Sequence, residues 1–236
     1  LLSSHVLSSN WTFNFNLHYT KGAGYYEEYK EADKFANYGV PNIINGTETI
    51  KKTDLIRRKW LDNDFYGTTF SLVYQGNNKL SANIGGGFNQ YDGKHFGEII
   101  WAKYAQNIPF GYRWYNNDAT KKDFNLYGKF NYALSENLNA FADLQIRIVN
   151  YNMIGIASKR QDITQKADYS FFNPKLGLTY QLADNTSIYA SYSVGNKEPS
   201  RQDFVDNAPK APLAESLNDI EIGYKTQKSN VAFSVN

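Results

Sequence analysis

The stretch Trp11-Thr-Phe-Asn-Phe-Asn-Leu-His-Tyr-Thr20 alternates without a break. Trp11, Phe13, Phe15, Leu17 and Tyr19 fall on one side, and Thr12, Asn14, Asn16, His18 and Thr20 on the other. Successive side chains of an extended chain point to opposite faces, so a period of two sorts these residues into an apolar and a polar face. A helix would scatter the same apolar residues around its circumference. The segment is a strand that meets two different environments.

The pattern recurs along the chain. One face carries Tyr66, Thr68, Phe70, Leu72 and Tyr74, then Leu80, Ala82, Ile84, Gly86 and Phe88, then Phe124, Leu126, Gly128, Phe130 and Tyr132. Leu138, Ala140, Ala142, Leu144, Ile146 and Ile148 follow, then Leu176, Leu178 and Tyr180, then Ile188, Ala190, Tyr192 and Val194. Ile220, Ile222 and Tyr224 precede a last piece with Val231, Phe233 and Val235, and with the piece at Leu1 to Leu7 this makes ten strand segments. Short connectors rich in Asn, Gly, Ser and Asp lie at Ser8-Ser9-Asn10, 75–79, 135–137, 183–186 and 226–230. Long ones are expected at 21–63, 91–122, 151–170 and 195–216. Short and long take turns, so an antiparallel meander gathers the short turns at one end and the long loops at the other.

Strands cross a bilayer only when every backbone polar group is paired, which requires a closed barrel. The expected fold is therefore all-β, a transmembrane antiparallel β-barrel with strands of about ten residues, short turns on one side and long loops on the other. The apolar rows face lipid, with Trp11, Tyr19, Tyr74 and Tyr132 near the interfaces. The opposite rows line a wet lumen and include Lys129, Asp143, Gln145, Arg147, Glu221 and Lys225. Gly85, Gly86 and Gly87 in one strand mark a curve or a close approach. A soluble lectin-like or adhesin sandwich also alternates, but does not require long loops at one end only. The alternation is cut at both ends, which points to a slice of a larger barrel.

Composition narrows the functions. The formal net charge is +2 with scattered basic residues, which gives no footprint for nucleic acid. The densest basic group, Lys51, Lys52, Arg57, Arg58 and Lys59, suits a solvated loop or a lipid-headgroup contact. Cysteine is absent, and His5, His18 and His95 lack metal-ligand spacing, so neither a metal nor a cofactor is expected. No apolar run approaches the length of a membrane helix, no signal peptide opens the chain, and no nucleophile elbow or phosphate loop occurs. No enzyme is expected. Selectivity should sit in the long loops. The first holds Tyr25-Tyr-Glu-Glu-Tyr-Lys-Glu31, and the second His95, Trp101, Tyr104, Phe110, Tyr112, Arg113, Trp114 and Tyr115. Aromatics beside a basic group can stack on a planar or iron-loaded ligand at a loop rim, and can equally pack the loops together.

The stretch Tyr189-Ala-Ser-Tyr-Ser-Val-Gly-Asn-Lys-Glu-Pro-Ser-Arg-Gln-Asp-Phe204 resembles a late-barrel strand and rim of TonB-dependent outer-membrane receptors of Bacteroidetes type. Pro212-Leu-Ala-Glu-Ser-Leu-Asn-Asp-Ile-Glu-Ile-Gly-Tyr224 resembles the strand that follows, and segments 22–30 and 57–67 an extracellular loop and its return strand. The resemblance implies a barrel of twenty-two strands around an N-terminal plug. Residues 1–236 would be a middle-to-late part of that barrel, without the plug and the final strands. It further implies energised uptake of a ferric siderophore, haem or cobalamin. The implied partners are the TonB-ExbB-ExbD complex acting through the plug, outer-membrane lipid and lipopolysaccharide, and the solute. A passive porin, or a surface adhesin or enzyme built on a barrel, is the alternative. By the same resemblance Asn196, Glu198, Pro199, Arg201, Asp203 and Phe204 form a rim motif that fixes the chain where strand becomes loop. Pro199 would end pairing, and Arg201 would bridge Glu198 or Asp203.

Overall fold

A computed structural model describes residues 1–76, 79–228 and 231–236. Ten strands form one antiparallel sheet: β1 (Leu2–Ser8), β2 (Trp11–Lys34), β5 (Lys52–Gln75), β6 (Leu80–Ala102), β7 (Tyr112–Ala133), β8 (Leu138–Gly155), β9 (Gln165–Ala183), β10 (Thr186–Lys197), β11 (Glu215–Lys228) and β12 (Val231–Val235). Each pairs with the next, while a small hairpin, β3 (Ile43–Asn45) with β4 (Glu48–Ile50), stands apart. β1 and β12 are the two edges, so the sheet is open within these residues. Among the described residues no helix is long and apolar enough to cross a membrane. The crossing elements are strands.

Register turns the sequence alternation into continuous surfaces. Phe15 pairs with Phe70, Phe70 with Gly86, Gly86 with Leu126, Leu126 with Ile146, and Ile146 with Phe172. One apolar row thus runs across six strands on the outer face, and a slip of one residue anywhere would turn that strand's row into the lumen. Trp11, Tyr74, Tyr132, Tyr180 and Tyr224 ring the belt beside the short turns, and Tyr19, Tyr66, Phe88 and Phe124 ring its other border. Eight residues separate Trp11 from Tyr19, about 20 Å along the barrel axis for a strand tilted by ~40°. That approaches the height of an outer-membrane hydrocarbon band. Leu144 lies midway, between Gly128 and Pro174. Leu144→Arg is expected to cost about 2–4 kcal/mol in urea titrations of folding into lipid vesicles. Gln145→Arg, one residue away on the lumen face, should cost little.

In the large sheet β2 and β5 through β9 are 18–24 residues long, about twice the expected length. The expected long connectors are therefore corrected: most of 21–34, 52–63, 91–102, 112–122 and 151–155 is strand standing above the membrane. Hydrophobic alternation stops where lipid stops, yet pairing continues through polar cross-strand contacts. Lys21 meets Asp62 at 2.6 Å and Asp64 at 2.9 Å, Tyr19 donates to Asp64 at 2.7 Å, and Arg58 meets Glu27 at 2.9 Å. What remains as connection is 35–51, 103–111, 156–164 and 198–214. The tight turns at 9–10, 134–137 and 184–185 fall where the sequence puts them. Those read at 75–79 and 226–230 include Asn77, Asn78, Ser229 and Asn230, which lie outside the described residues. At Gly85, one of the three adjacent glycines, a Cβ would meet the Phe70 carbonyl oxygen at 2.6 Å and the Tyr127 hydroxyl at 2.7 Å. Close approach decides that position.

Candidate functional site

Above the belt, on the lumen side, the connections fold inward and bury two cores. The first joins Phe35, Tyr38, Val40 and Ile43 from the 35–51 connection to Leu55, Ile99, Trp114 and Tyr115 on the wall. Phe35, Tyr38 and Leu55 have no solvent exposure. Arg57 is held between the Tyr38 and Trp114 rings, with centroid distances of 5.9 and 5.6 Å. Its guanidinium donates to the Tyr38 hydroxyl at 2.9 Å and meets Glu28 at 2.8 Å. Arg160, from the 156–164 connection, donates to the carbonyls of Tyr38 (3.2 Å) and Trp114 (3.3 Å). The basic group at 51–59 is thus not simply solvated: Arg57 is built into this core, and Arg58 lies outside, 4.4 Å from the Tyr25 ring centroid.

The second core seats α1 (Arg201–Asn207) on the wall of β7, β8 and β9. Phe204 is fully buried beside Tyr151 and Tyr169, and its carbonyl accepts from Gln165 at 2.9 Å. The rim motif acts as a strand-to-helix joint. Asn196 ties β10 to Asn173 and to the Phe172 carbonyl, and Pro199 is buried just past the last paired residue, Lys197. Asp203 accepts from the Ser200 amide at 2.7 Å while its own amide donates to Ser200, a capping box. Arg201 bridges neither Glu198 nor Asp203, which corrects the expected pairing. Its guanidinium donates to Asn117 Oδ1 at 2.6 Å. Glu198 turns back instead to Arg147 (2.7 Å) and Lys121 (2.7 Å), and Arg147 also holds Asp123. Burial alone would raise the Glu198 carboxyl, but the hydrogen bonds from Arg147 and Lys121 outweigh it and hold the group at about 2. The remaining lumen set is paired more loosely: Lys129 with Asp143 at 3.4 Å, and Gln145 accepting from Asn173 at 3.0 Å. Glu221 and Lys225 stand opposite Ser191 and Ser187.

The expected aromatic rim is split by the wall. Of its residues only Tyr104 and Phe110 lie in a connection; His95 and Trp101 are on β6, and Tyr112, Arg113, Trp114 and Tyr115 on β7. A bulge between Gly97 and Glu98 of β6 and their β7 partners sets both Trp114 and Tyr115 over Gly97, where a Cβ would strike both rings. Arg113 turns outward to Glu98 (3.0 Å) and over the Phe96 ring (4.0 Å). Trp101 is about half exposed, whereas Trp114 is buried. The structure therefore does not bring Trp101, Arg113 and Trp114 together. Tyr112 donates to the Tyr38 carbonyl at 3.2 Å, binding the first connection to β7.

His95 lies on the same face of β6 as Tyr91, Gly93 and Gly97. It pairs across the sheet with Asn117, and Tyr91 leans over Gly93 to bring its hydroxyl to 3.4 Å from His95 Nε2. Sequence reasoning missed Tyr91, Gly93, Gly97 and Asn117, although continuing the period of two past residue 91 finds the first three. Burial, and then the charge of Arg201, push the His95 imidazole down to about 4. The unfolded imidazole takes its proton near pH 6.5 and the folded one only near 4, so the unfolded state binds more protons in that window. Stability contributed by neutral His95 is present above pH 6.5 and is lost as pH falls toward 4. His95→Asn should flatten that part of a stability-versus-pH curve measured by hydrogen exchange of β6.

A family model described as "TonB dependent receptor-like, beta-barrel" matches residues 3–236. Among solved structures, the siderophore receptor PiuA from Acinetobacter baumannii is 16% identical with a TM-score of 0.66, the match covering 96% of this chain and 37% of that one. The ferric-catecholate import receptor Fiu from E. coli K12, in its closed form, is 13% identical with a TM-score of 0.62, covering 96% and 37%. The copper transporter OprC is 11% identical with a TM-score of 0.67, covering 96% and 35%. The chain thus spans about a third of the length of these structures. No curated protein matches its sequence.

Proposed function

Because this outer-membrane chain belongs to the TonB-dependent receptor family through its β-barrel domain, we propose that it forms part of a receptor-transporter for the energised uptake of a scarce large solute. Ferric siderophores, haem and cobalamin are the solute classes we favour. The observation that carries this reading is the inward-packed mouth. A lipid-facing belt is surmounted by a tall wall whose connections are anchored on the lumen side by two buried cores. Connections packed in this way would order an entrance, as selection of a large solute requires. Energy would reach the site through the TonB-ExbB-ExbD complex and the plug that such receptors carry. Within residues 1–236, ten strands would form one arc of the wall. No bond chemistry is assigned to this chain.

Fold alone does not choose the solute, since a neighbour of the same fold is named a copper transporter. The test is uptake of iron-labelled chelates by cells carrying the full-length receptor, with and without an intact energy-transducing complex. Uptake that needs the complex supports the reading. Ion conductance by the full-length protein in a planar bilayer without any partner would instead make it a porin.

A further inference from the structure

The lipid-facing belt is recessed in one place. On the outer row of β8, Ala140 and Ala142 occupy the half next to the short turns, whereas Leu144, Ile146 and Ile148 continue the row from mid-belt outward. Both alanines are half-buried, while their register partners Tyr132, Leu176 and Leu178 stand out beside them. A groove of about 570 Å³ runs over the two alanines, walled by Phe130 and Tyr132 on β7 and by Leu176 and Leu178 on β9. At Gly128 a Cβ would meet the Phe130 ring at 3.0 Å, so the missing side chain lets that ring lie back along its own strand instead of filling the groove. A second groove of about 510 Å³ follows β10 over Ala190, between Leu178 and Tyr180 on β9 and Ile222 and Tyr224 on β11. Leu178 and Ala190 border both grooves, so the two lie side by side.

Their position and chemistry fit a lipid of one leaflet. Both grooves open beside the tyrosine girdle, at Tyr132, Tyr180 and Tyr224, and the first ends below Leu144 at mid-belt. They therefore lie in the leaflet on the side of the short turns, which is periplasmic in barrels of this kind. Lipid tails are as apolar as leucine, so a smooth belt does not prefer one tail over another. A recess changes that, because a chain lying in it touches protein on three sides and the dispersion contacts sum. The turns at the two mouths, 134–137 and 184–185, carry Glu136 and Asp184 and neither lysine nor arginine, which favours a cationic group on the lipid over a purely anionic head.

We propose that the two grooves seat one diacyl phospholipid of the periplasmic leaflet, with a chain in each groove and an ammonium headgroup at the turns. The girdle tyrosines suit the glycerol and phosphate level, where an apolar ring and a polar hydroxyl are both matched. The site goes beyond the uptake reading and does not depend on which solute is carried.

The test is native mass spectrometry of the full-length receptor in detergent, offered phosphatidylethanolamine and phosphatidylglycerol in equal amounts. The wild type should retain one phosphatidylethanolamine. Ala142→Leu combined with Ala190→Leu fills both grooves with side chains that a lipid-facing belt accepts, and should lose the retained lipid. Ile146→Leu, on the same row of β8 but in the other leaflet, should retain it as the wild type does. The proposal is overturned if the filled variant retains as much lipid as the wild type, or if Ile146→Leu loses it equally. A wild type that retains no phospholipid also overturns it, and leaves the grooves to a neighbouring membrane protein. Retention of phosphatidylglycerol as readily as phosphatidylethanolamine overturns the assigned headgroup and the proposal with it.

Discussion

Glu198→Ala is expected to free the 198–214 connection while leaving the membrane belt folded. The carboxylate is the meeting point of Arg147 and Lys121, which come from different strands, and its side chain is only 12% exposed. Removing it leaves two partly buried cations with one acid, Asp123, between them. Breaking such a network by deleting one partner costs about 2–4 kcal/mol when burial is incomplete. The loss is local, because the belt's apolar rows and ladders do not pass through this segment. It should appear as proteolytic cleavage within 198–214 accelerated roughly 30-fold or more, if cleavage follows the open population. Acid should reproduce the effect in the wild type. The folded carboxyl titrates at about 2, below its ordinary range near 4.3. The network's contribution is therefore complete above that ordinary range and fades as pH falls toward 2. Equal cleavage rates in Glu198→Ala and wild type at neutral pH would show that the Glu198 network does not hold α1.

Trp114→Ala and Arg113→Ala should behave oppositely although the residues are adjacent. Trp114 is 2% exposed, lies edge-on to Tyr38 at 5.2 Å, faces Arg57 and donates to the Ser158 carbonyl at 3.2 Å. Truncation removes the shared floor of two connections, 35–51 and 156–164, for about 3–5 kcal/mol. Both should lose hydrogen-exchange protection together. Arg113 sits on the outer face in an exposed pair with Glu98, where such pairs contribute about 0–1 kcal/mol. Its removal should leave both connections protected. Separate rather than joint release of the two connections in Trp114→Ala would show that the first core is not one unit.

The membrane-spanning part of the fold was legible because lipid and water impose a strict two-residue code. Trp11 to Tyr19 carries that code in full, and Phe124 to Tyr132 and Leu138 to Ile148 carry it with one aromatic each, Tyr127 and Phe141, on the opposite face. Their register partners in the sheet are those that the alternation demands. Above the belt both faces are polar, so Lys21, Asp62 and Asp64 look like loop in one dimension and form cross-strand pairs in three. The same blindness split the aromatic set: one bulge at Gly97 turns Trp114 and Tyr115 inward while Arg113 stays outside.

The rim motif shows the same division. Its residues could be singled out from the chain, and its helix cap needs only Ser200 and Asp203, three residues apart. Its ion pairs could not be assigned, because Glu198 finds Arg147 across 51 residues and Arg201 finds Asn117 across 84. Sequence by itself determined which face of each strand meets lipid, since that is a property of nearest neighbours along the chain. Only the tertiary structure decided where the strands end and which charges are neutralised. Those depend on partners that register and inward-folded connections bring together from distant positions.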